Sequence, residues 1–230
     1  NVTVTETAVL KLKRANLNRS NSNSNVKELV DVTIRFAGDS GDGMQLTGTQ
    51  FSDNTAIFGN DLSTFPDYPS EIRAPAGSLA GVSSFQIQFS RMPIHTPGDD
   101  LNVLVAMNPA ALKVHLNDVK DHGTVIINEA NFTKKNINLA GYDVNPLEDD
   151  TLTQYQVVKV NMTKLVSLAT EDMKLAPKLV ARSSNMFALG LVYWLYGRKI
   201  DNTVSFIQKK FAKKPEIVNA NLRALKAGFN

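Results

Sequence analysis

Cysteine is absent from all 230 residues, which excludes disulfides, thiolate catalysis and cysteine-ligated iron–sulfur clusters within this chain. Any electron-carrying cluster that works with it must belong to a partner. Histidine is scarce too: His95, His115 and His122 show no HxH or HxxxH spacing, and no carboxylate cluster completes a metal site with them. They read as surface or packing residues. Long apolar runs are missing, since Leu101 to Met107 and Met186 to Tyr196 are interrupted or fall short of the roughly 18 residues that a spanning helix needs. No membrane partner is expected. Charge of one sign is also missing: 25 Lys and Arg against 22 Asp and Glu leave a formal net charge of +3. The excess sits in Leu10 to Arg14 and Lys209 to Lys214, without the interleaved aromatics of a nucleic-acid face, so nucleic acid is not an expected partner. No export signal accompanies the sequons at Asn131 and Asn161, and the expected compartment is the cytoplasm. There is no fixed-period repeat, which excludes a solenoid, and Ser40 lies outside a G-x-S-x-G elbow, which argues against hydrolase chemistry.

What is present is the composition of a globular domain, 43% hydrophobic and 20% charged. Residues 1–30 stand apart. Ala15 to Asn25 is a polar, low-complexity stretch with too little apolar surface to order itself, so residues 1–30 are expected to be a flexible or unassigned N-terminal segment. From Asp31 an α/β pattern begins. Val32 to Phe36 is a strand candidate, glycines follow at once, and Met44 to Phe58 can form a helix. Phe85 to Phe89 alternates as a half-buried strand, while Leu101 to Ala106 and Thr124 to Ile127 read as deeply buried strands. Asn108-Pro109 supplies an N-cap and first-turn proline for a helix through His115. Gln156 to Val160 offers a further strand, after which Lys164 to Ala169, Ala176 to Tyr196, Thr203 to Ala212 and Glu216 to Ala227 are helix-like. The fold expected for residues 31–230 is therefore three-layer α/β/α and Rossmann-like, with a mostly parallel, mixed sheet and a helical C-terminal third. Functional residues should follow the carboxyl ends of strands.

The sharpest candidate site is the turn Gly38-Asp39-Ser40-Gly41-Asp42-Gly43 between the first strand and first helix. Its glycines permit close backbone approach, and free amides with a helix dipole can receive a phosphate. The spacing is G-x-x-G-x-G, however, and the dinucleotide pattern counted from Gly41 would need glycine where Leu46 stands. Asp39 and Asp42 would repel an anion unless turned away or engaged as caps. Ligand contact and a tight, aspartate-capped turn both remain open. A second candidate lies in the Pro- and Gly-punctuated segment Phe65 to Gly81, where Arg73 could fork onto a phosphate or carboxylate with Glu71 orienting it. A salt bridge that merely holds the loop is the alternative. Asn108 either faces the crevice or simply caps its helix. Met186, Phe187, Tyr193 and Trp194, at helical spacing, read as core or subunit interface.

Residues 31–230 resemble the γ-type domain of the thiamine-dependent 2-oxoacid:ferredoxin (acceptor) oxidoreductases, with the 2-oxoglutarate branch nearest. The stretches that carry the resemblance are RFAGDSGDGMQLTG (Arg35 to Gly48), STFPDYPSEIRAPAGSLAGVSSFQI (Ser63 to Ile87), AMNPAALK (Ala106 to Lys113) and ALKAGFN (Ala224 to Asn230). The resemblance implies oxidative decarboxylation of a 2-oxoacid with coenzyme A, the electrons passing to ferredoxin or a similar acceptor. It places thiamine diphosphate, Mg and the iron–sulfur cluster in partners, namely the α domain and β subunit, and none of them in this chain alone. It gives the γ-type domain the tasks of covering the active site and helping to position coenzyme A. Gly38 to Gly43, Glu71, Arg73 and Asn108 then become candidate coenzyme A or interdomain contacts. The rival readings are a stand-alone nucleotide-binding domain and a purely structural interface domain.

Overall fold

In the computed structural model the described residues are 31–57, 59, 61–71, 74–96 and 98–230. The expected flexibility of residues 1–30 and the expected helix end at Phe58 fall outside them. Six strands form one sheet: β1 (Asp31–Asp39), β2 (Asp61–Asp67), β3 (Val82–Ser90), β4 (Leu101–Ala106), β5 (Val119–Asn128) and β6 (Gln156–Val160). Their order across the sheet is β2-β3-β1-β4-β5-β6. β1, β4, β5 and β6 run parallel, while β3 is antiparallel to both β1 and β2. The sheet is mixed and mostly parallel.

The helices are α1 (Met44–Ile57), α2 (Pro109–His115), α3 (Lys134–Leu139), α4 (Met162–Ala169), α5 (Pro177–Arg182), α6 (Ser184–Leu195), α7 (Asp201–Lys210) and α8 (Pro215–Phe229). They cover the sheet on both sides because its strands present apolar residues both ways. Ile34, Phe36, Ile87 and Val105 pack with Phe51 of α1, Tyr193 of α6 and Leu225 of α8. On the other face Leu104, Ala106, Val125 and Ile127 pack with Ala110, Ala111 and Leu112 of α2. Doubly covered β4 and the Thr124–Ile127 half of β5 accordingly read as mostly apolar runs, as buried parallel strands do.

Three elements differ from the sequence reading. Phe85 to Phe89 alternates, yet all of β3 is buried. Its polar face is closed off by neighbours: Arg35 Nε donates to Gln86 Oε1 at 3.1 Å, and Gln86 Nε2 donates to Gly98 O at 2.7 Å. The expected helix Ala176 to Tyr196 is two helices, α5 and α6, meeting at Ser183. There the hydroxyl donates back to Leu179 O at 3.1 Å, a bond that bends helices. Strand β2 was hidden by Pro66, because proline argues against a central strand. Its place at the sheet edge removes that objection.

Candidate functional site

β1 and β4 are parallel neighbours, but the helices that follow them leave on opposite faces, α1 onto one core and α2 onto the other. In sheets of this kind such a divergence marks the usual position of a ligand crevice, beyond the carboxyl ends of the two strands.

Asp39, the last residue of β1, organises that crevice. Both carboxylate oxygens lie 3.0 Å from Gly77 N, which donates to them, and Asn108 Nδ2 donates to Oδ1 at 2.9 Å. Asn108 in turn caps α2, its Oδ1 accepting from Ala111 N at 2.8 Å. Ser40 N donates to Gly81 O at 3.2 Å. One carboxylate thus joins the glycine turn, the segment 74–81 and the junction of β4 with α2. Gly77 has φ +84°, a backbone conformation that disfavours a side chain, so the amide presented to Asp39 depends on glycine there.

The second acid is folded into the turn itself. Asp42 Oδ2 accepts from Asp39 N at 3.0 Å, while Asp42 N donates to Asp39 O at 2.9 Å. Burial, reinforced by the neighbouring Asp39 charge, pushes the Asp42 carboxyl up to about 6. Both acids therefore engage internal donors, which lessens the conflict between this turn and an anionic ligand. Gly43 closes the turn with φ +75°.

Of the residues singled out from sequence, the structure brings Gly38, Asp39, Asp42, Gly43 and Asn108 together. Gly38 is buried, with Met107 Cβ 3.1 Å from where a side chain would begin. Ser40 and Gly41 are exposed at the tip of the turn, and no atom lies within 4 Å of a Cβ built on Gly41. Glu71 stands exposed on the loop after β2, its amide donating to Ala80 O at 3.3 Å. Arg73 lies outside the described residues. Sequence reasoning missed Gly77, Asn131 and Asn185. Asn131 Nδ2 donates to Met107 O at 2.9 Å, steadying the end of β4. Gly77 sits in the already suspicious Pro/Gly segment, and Asn185 was a polar residue opening an otherwise apolar helix. Among the described residues no group of three or more His, Asp and Glu could hold a metal ion, and no helix is long and apolar enough to cross a membrane.

A six-stranded, mostly parallel α/β/α sheet whose helices leave β1 and β4 on opposite faces defines a Rossmann-like domain. The comparisons then name its family. The model of pyruvate ferredoxin/flavodoxin oxidoreductase matches residues 33–230, and the chain belongs to that family. It is 55% identical over 204 residues to the 2-oxoglutarate oxidoreductase subunit KorA of Mycobacterium tuberculosis, covering 89% of this chain and 31% of that one. To the ketoisovalerate oxidoreductase subunit VorA of Methanothermobacter thermautotrophicus it is 26% identical, covering 87% of this chain and 36% of the other. This chain thus spans about a third of the length of these curated relatives. Among solved structures it is similar to the 2-oxoglutarate:ferredoxin oxidoreductase of Magnetococcus marinus, whose structure holds 2-oxoglutarate, coenzyme A and succinyl-CoA. That likeness has a TM-score of 0.65 at 25% identity and covers 87% of this chain and 31% of the other. The gamma subunit of a keto/oxoacid ferredoxin oxidoreductase from Geobacter sulfurreducens shares the fold over 86% of this chain and 96% of its own, with a TM-score of 0.57 at 19% identity.

Proposed function

We propose that this chain is the γ-type domain of a thiamine-dependent 2-oxoacid:ferredoxin oxidoreductase acting on 2-oxoglutarate, covering the active site and helping to position coenzyme A. The observation that carries the reading is the crevice at the ends of β1 and β4, where Asp39 ties three segments together beside the open glycine turn. The 55% identity to a 2-oxoglutarate oxidoreductase subunit supports the choice of substrate. Thiamine diphosphate, Mg and the iron–sulfur cluster belong, on this reading, to the α domain and β subunit, and ferredoxin or a similar acceptor meets the complex through them. A chain without cysteine fits that division. Exposed Tyr68, Leu79 and Leu139 add an apolar rim to the loops at this edge, suited to contact with another domain. The compartment proposed is the cytoplasm.

Gly38, Asp39, Ser40, Gly41, Asp42, Gly43, Glu71, Arg73 and Asn108 are proposed as coenzyme A or interdomain contacts. A purely structural interface role has one observation in its favour, the engagement of both Asp39 oxygens by donors of this same chain. Calorimetric titration of the assembled oxidoreductase with coenzyme A and with NAD, beside an Arg73→Ala variant, separates the readings. Coenzyme A binding that weakens in the variant supports the proposal. Tight NAD binding overturns it, and coenzyme A binding indifferent to this chain favours the interface.

A further inference from the structure

Arg35 and Asp39 both belong to β1, and the alternation of a strand puts their side chains, with Ala37 between them, on the face that α2 covers. Ala37 shares its buried cluster with Ala110, Ala111 and Leu112 of that helix. Helix α2 is pinned to β1 at both ends. At its start Asn108 bonds Asp39, and at its last residue His115 Nδ1 lies 2.8 Å from Arg35 Nη1. The strand covers about 13 Å between Arg35 and Asp39, and the helix covers about 10 Å between Asn108 and His115. The helix therefore runs back along the strand with little slack between its two attachments.

The attachment remote from the crevice is a buried cation. The Arg35 side chain is 13% exposed. Its Nη1 also bonds Asp118, in the short turn after α2, and its Nε donates to Gln86 Oε1 on the neighbouring strand at 3.1 Å. A guanidinium only donates, so His115 Nδ1 accepts and the imidazole proton sits on Nε2. Burial and then the Arg35 charge keep that ring neutral, lowering it to about 4 against the opposing pull of Asp118 and Asp67. An apolar residue would cost less to bury at this place. What the planar fork adds is direction, because its donors grip several partners in one fixed geometry.

We propose that Arg35 is a positioning residue for the crevice. By fixing the far end of α2 through His115 and Asp118, it sets where Asn108 meets Asp39 at the carboxyl ends of β1 and β4. The inference rests on the reading that this crevice serves coenzyme A, and it adds a residue outside the crevice on which the site depends.

The test is a kinetic double-mutant cycle on the assembled oxidoreductase, joining Arg35→Gln with Asn108→Ala and reading KM for coenzyme A. Loss of folded enzyme lowers the apparent kcat and leaves KM as it was, so a merely structural role does not move this readout. Arg35→Gln is expected to raise KM about threefold or more when Asn108 is present and to add nothing once Asn108 is alanine, the coupling of residues in one network. Unlinked sites this far apart would instead act independently to within about twofold. Asp118→Asn removes the counter-charge at a half-exposed position, is expected to show the same dependence on Asn108, and decides the matter if Arg35→Gln does not fold. Independent effects, or no effect of either folded variant on KM, overturn the inference. If Asn108→Ala raises KM while the Arg35 and Asp118 variants act independently of it, the Arg35 assignment fails and the crevice reading survives. If Asn108→Ala itself leaves KM for coenzyme A unchanged, the crevice reading fails and the inference falls with it.

Discussion

Asp39 and Asn108 face each other across the gap between β1 and β4, with Asn108 Nδ2 donating to Asp39 Oδ1 at 2.9 Å. Each also serves a second segment, Asp39 through Gly77 N and Asn108 through Ala111 N. The pair therefore ties the end of β1 to the end of β4 while fixing the start of α2.

Asn108→Ala is expected to cost about 1–2 kcal/mol by removing an N-cap, and Asp39→Ala about 1–3 kcal/mol by leaving the donors it serves unsatisfied. Because the two share a bond, the double variant should cost less than the sum by about 0.5–3 kcal/mol. Urea denaturation of the four proteins in the cycle measures this. Strict additivity would mean that the contact contributes nothing.

The same substitution should differ widely in cost at different glycines. In a helix interior Gly→Ala gains about 1 kcal/mol from propensity. At Gly190 the new Cβ would lie 2.1 Å from Leu225 O, and at Gly228 it would lie 2.0 Å from Phe187 O. Both collide with backbone where α6 crosses α8, so helices must separate, and a net loss of about 1–3 kcal/mol or more is expected. Gly48→Ala meets the Phe85 ring at 2.2 Å and should behave likewise. Gly41→Ala meets nothing and should change stability by no more than about 0.5 kcal/mol. Thermal melts of the four variants check the ordering.

Two desolvated groups should give stability a pH dependence of opposing slopes. The Asp42 carboxyl is raised from 3.8 to about 6, by burial and then by Asp39. The native state holds its proton longer than the unfolded state does, so this contribution is present below pH 4 and is lost as pH rises through 6. His115, 5% exposed, is lowered from 6.5 to about 4, by burial and then by Arg35, against the opposing pull of Asp118 and Asp67. Arg35 Nη1 lies 2.8 Å from His115 Nδ1 and is also bonded to Asp118. Its contribution is present above pH 6.5 and is lost as pH falls toward 4. The wild-type slopes between pH 4 and 6 therefore partly cancel. Asp42→Asn should leave a rise with pH and add on the order of 1–3 kcal/mol at pH 7, whereas His115→Gln should leave a fall. Urea midpoints at pH 4, 5, 6 and 7 read both.

Much of the fold was legible because local chemistry and tertiary role agree. Leu101 to Ala106 and Thr124 to Ile127 are mostly apolar in the sequence because both faces of the parallel strands are covered. Asn108-Pro109 marks a helix start through capping chemistry that acts within four residues. What stayed hidden depends on distant partners. Ser183 breaks a pattern that reads as one helix from Ala176 to Tyr196, and Pro66 disguises a strand whose edge position only the sheet order reveals. In the site, the turn was legible because its glycines cluster in sequence. Gly77 and Asn185 were not, since one meets Asp39 across 38 residues and the other reaches Gly43 from a helix that otherwise reads as core.

Hydrogen exchange on the assembled oxidoreductase, with and without coenzyme A, tests the central claim most directly. Amides of residues 40–47, at the glycine turn and the start of α1, should gain protection when coenzyme A is added and not when NAD is added. Protection confined to other parts of the enzyme, or equal protection by NAD, would contradict the assignment of this crevice to coenzyme A.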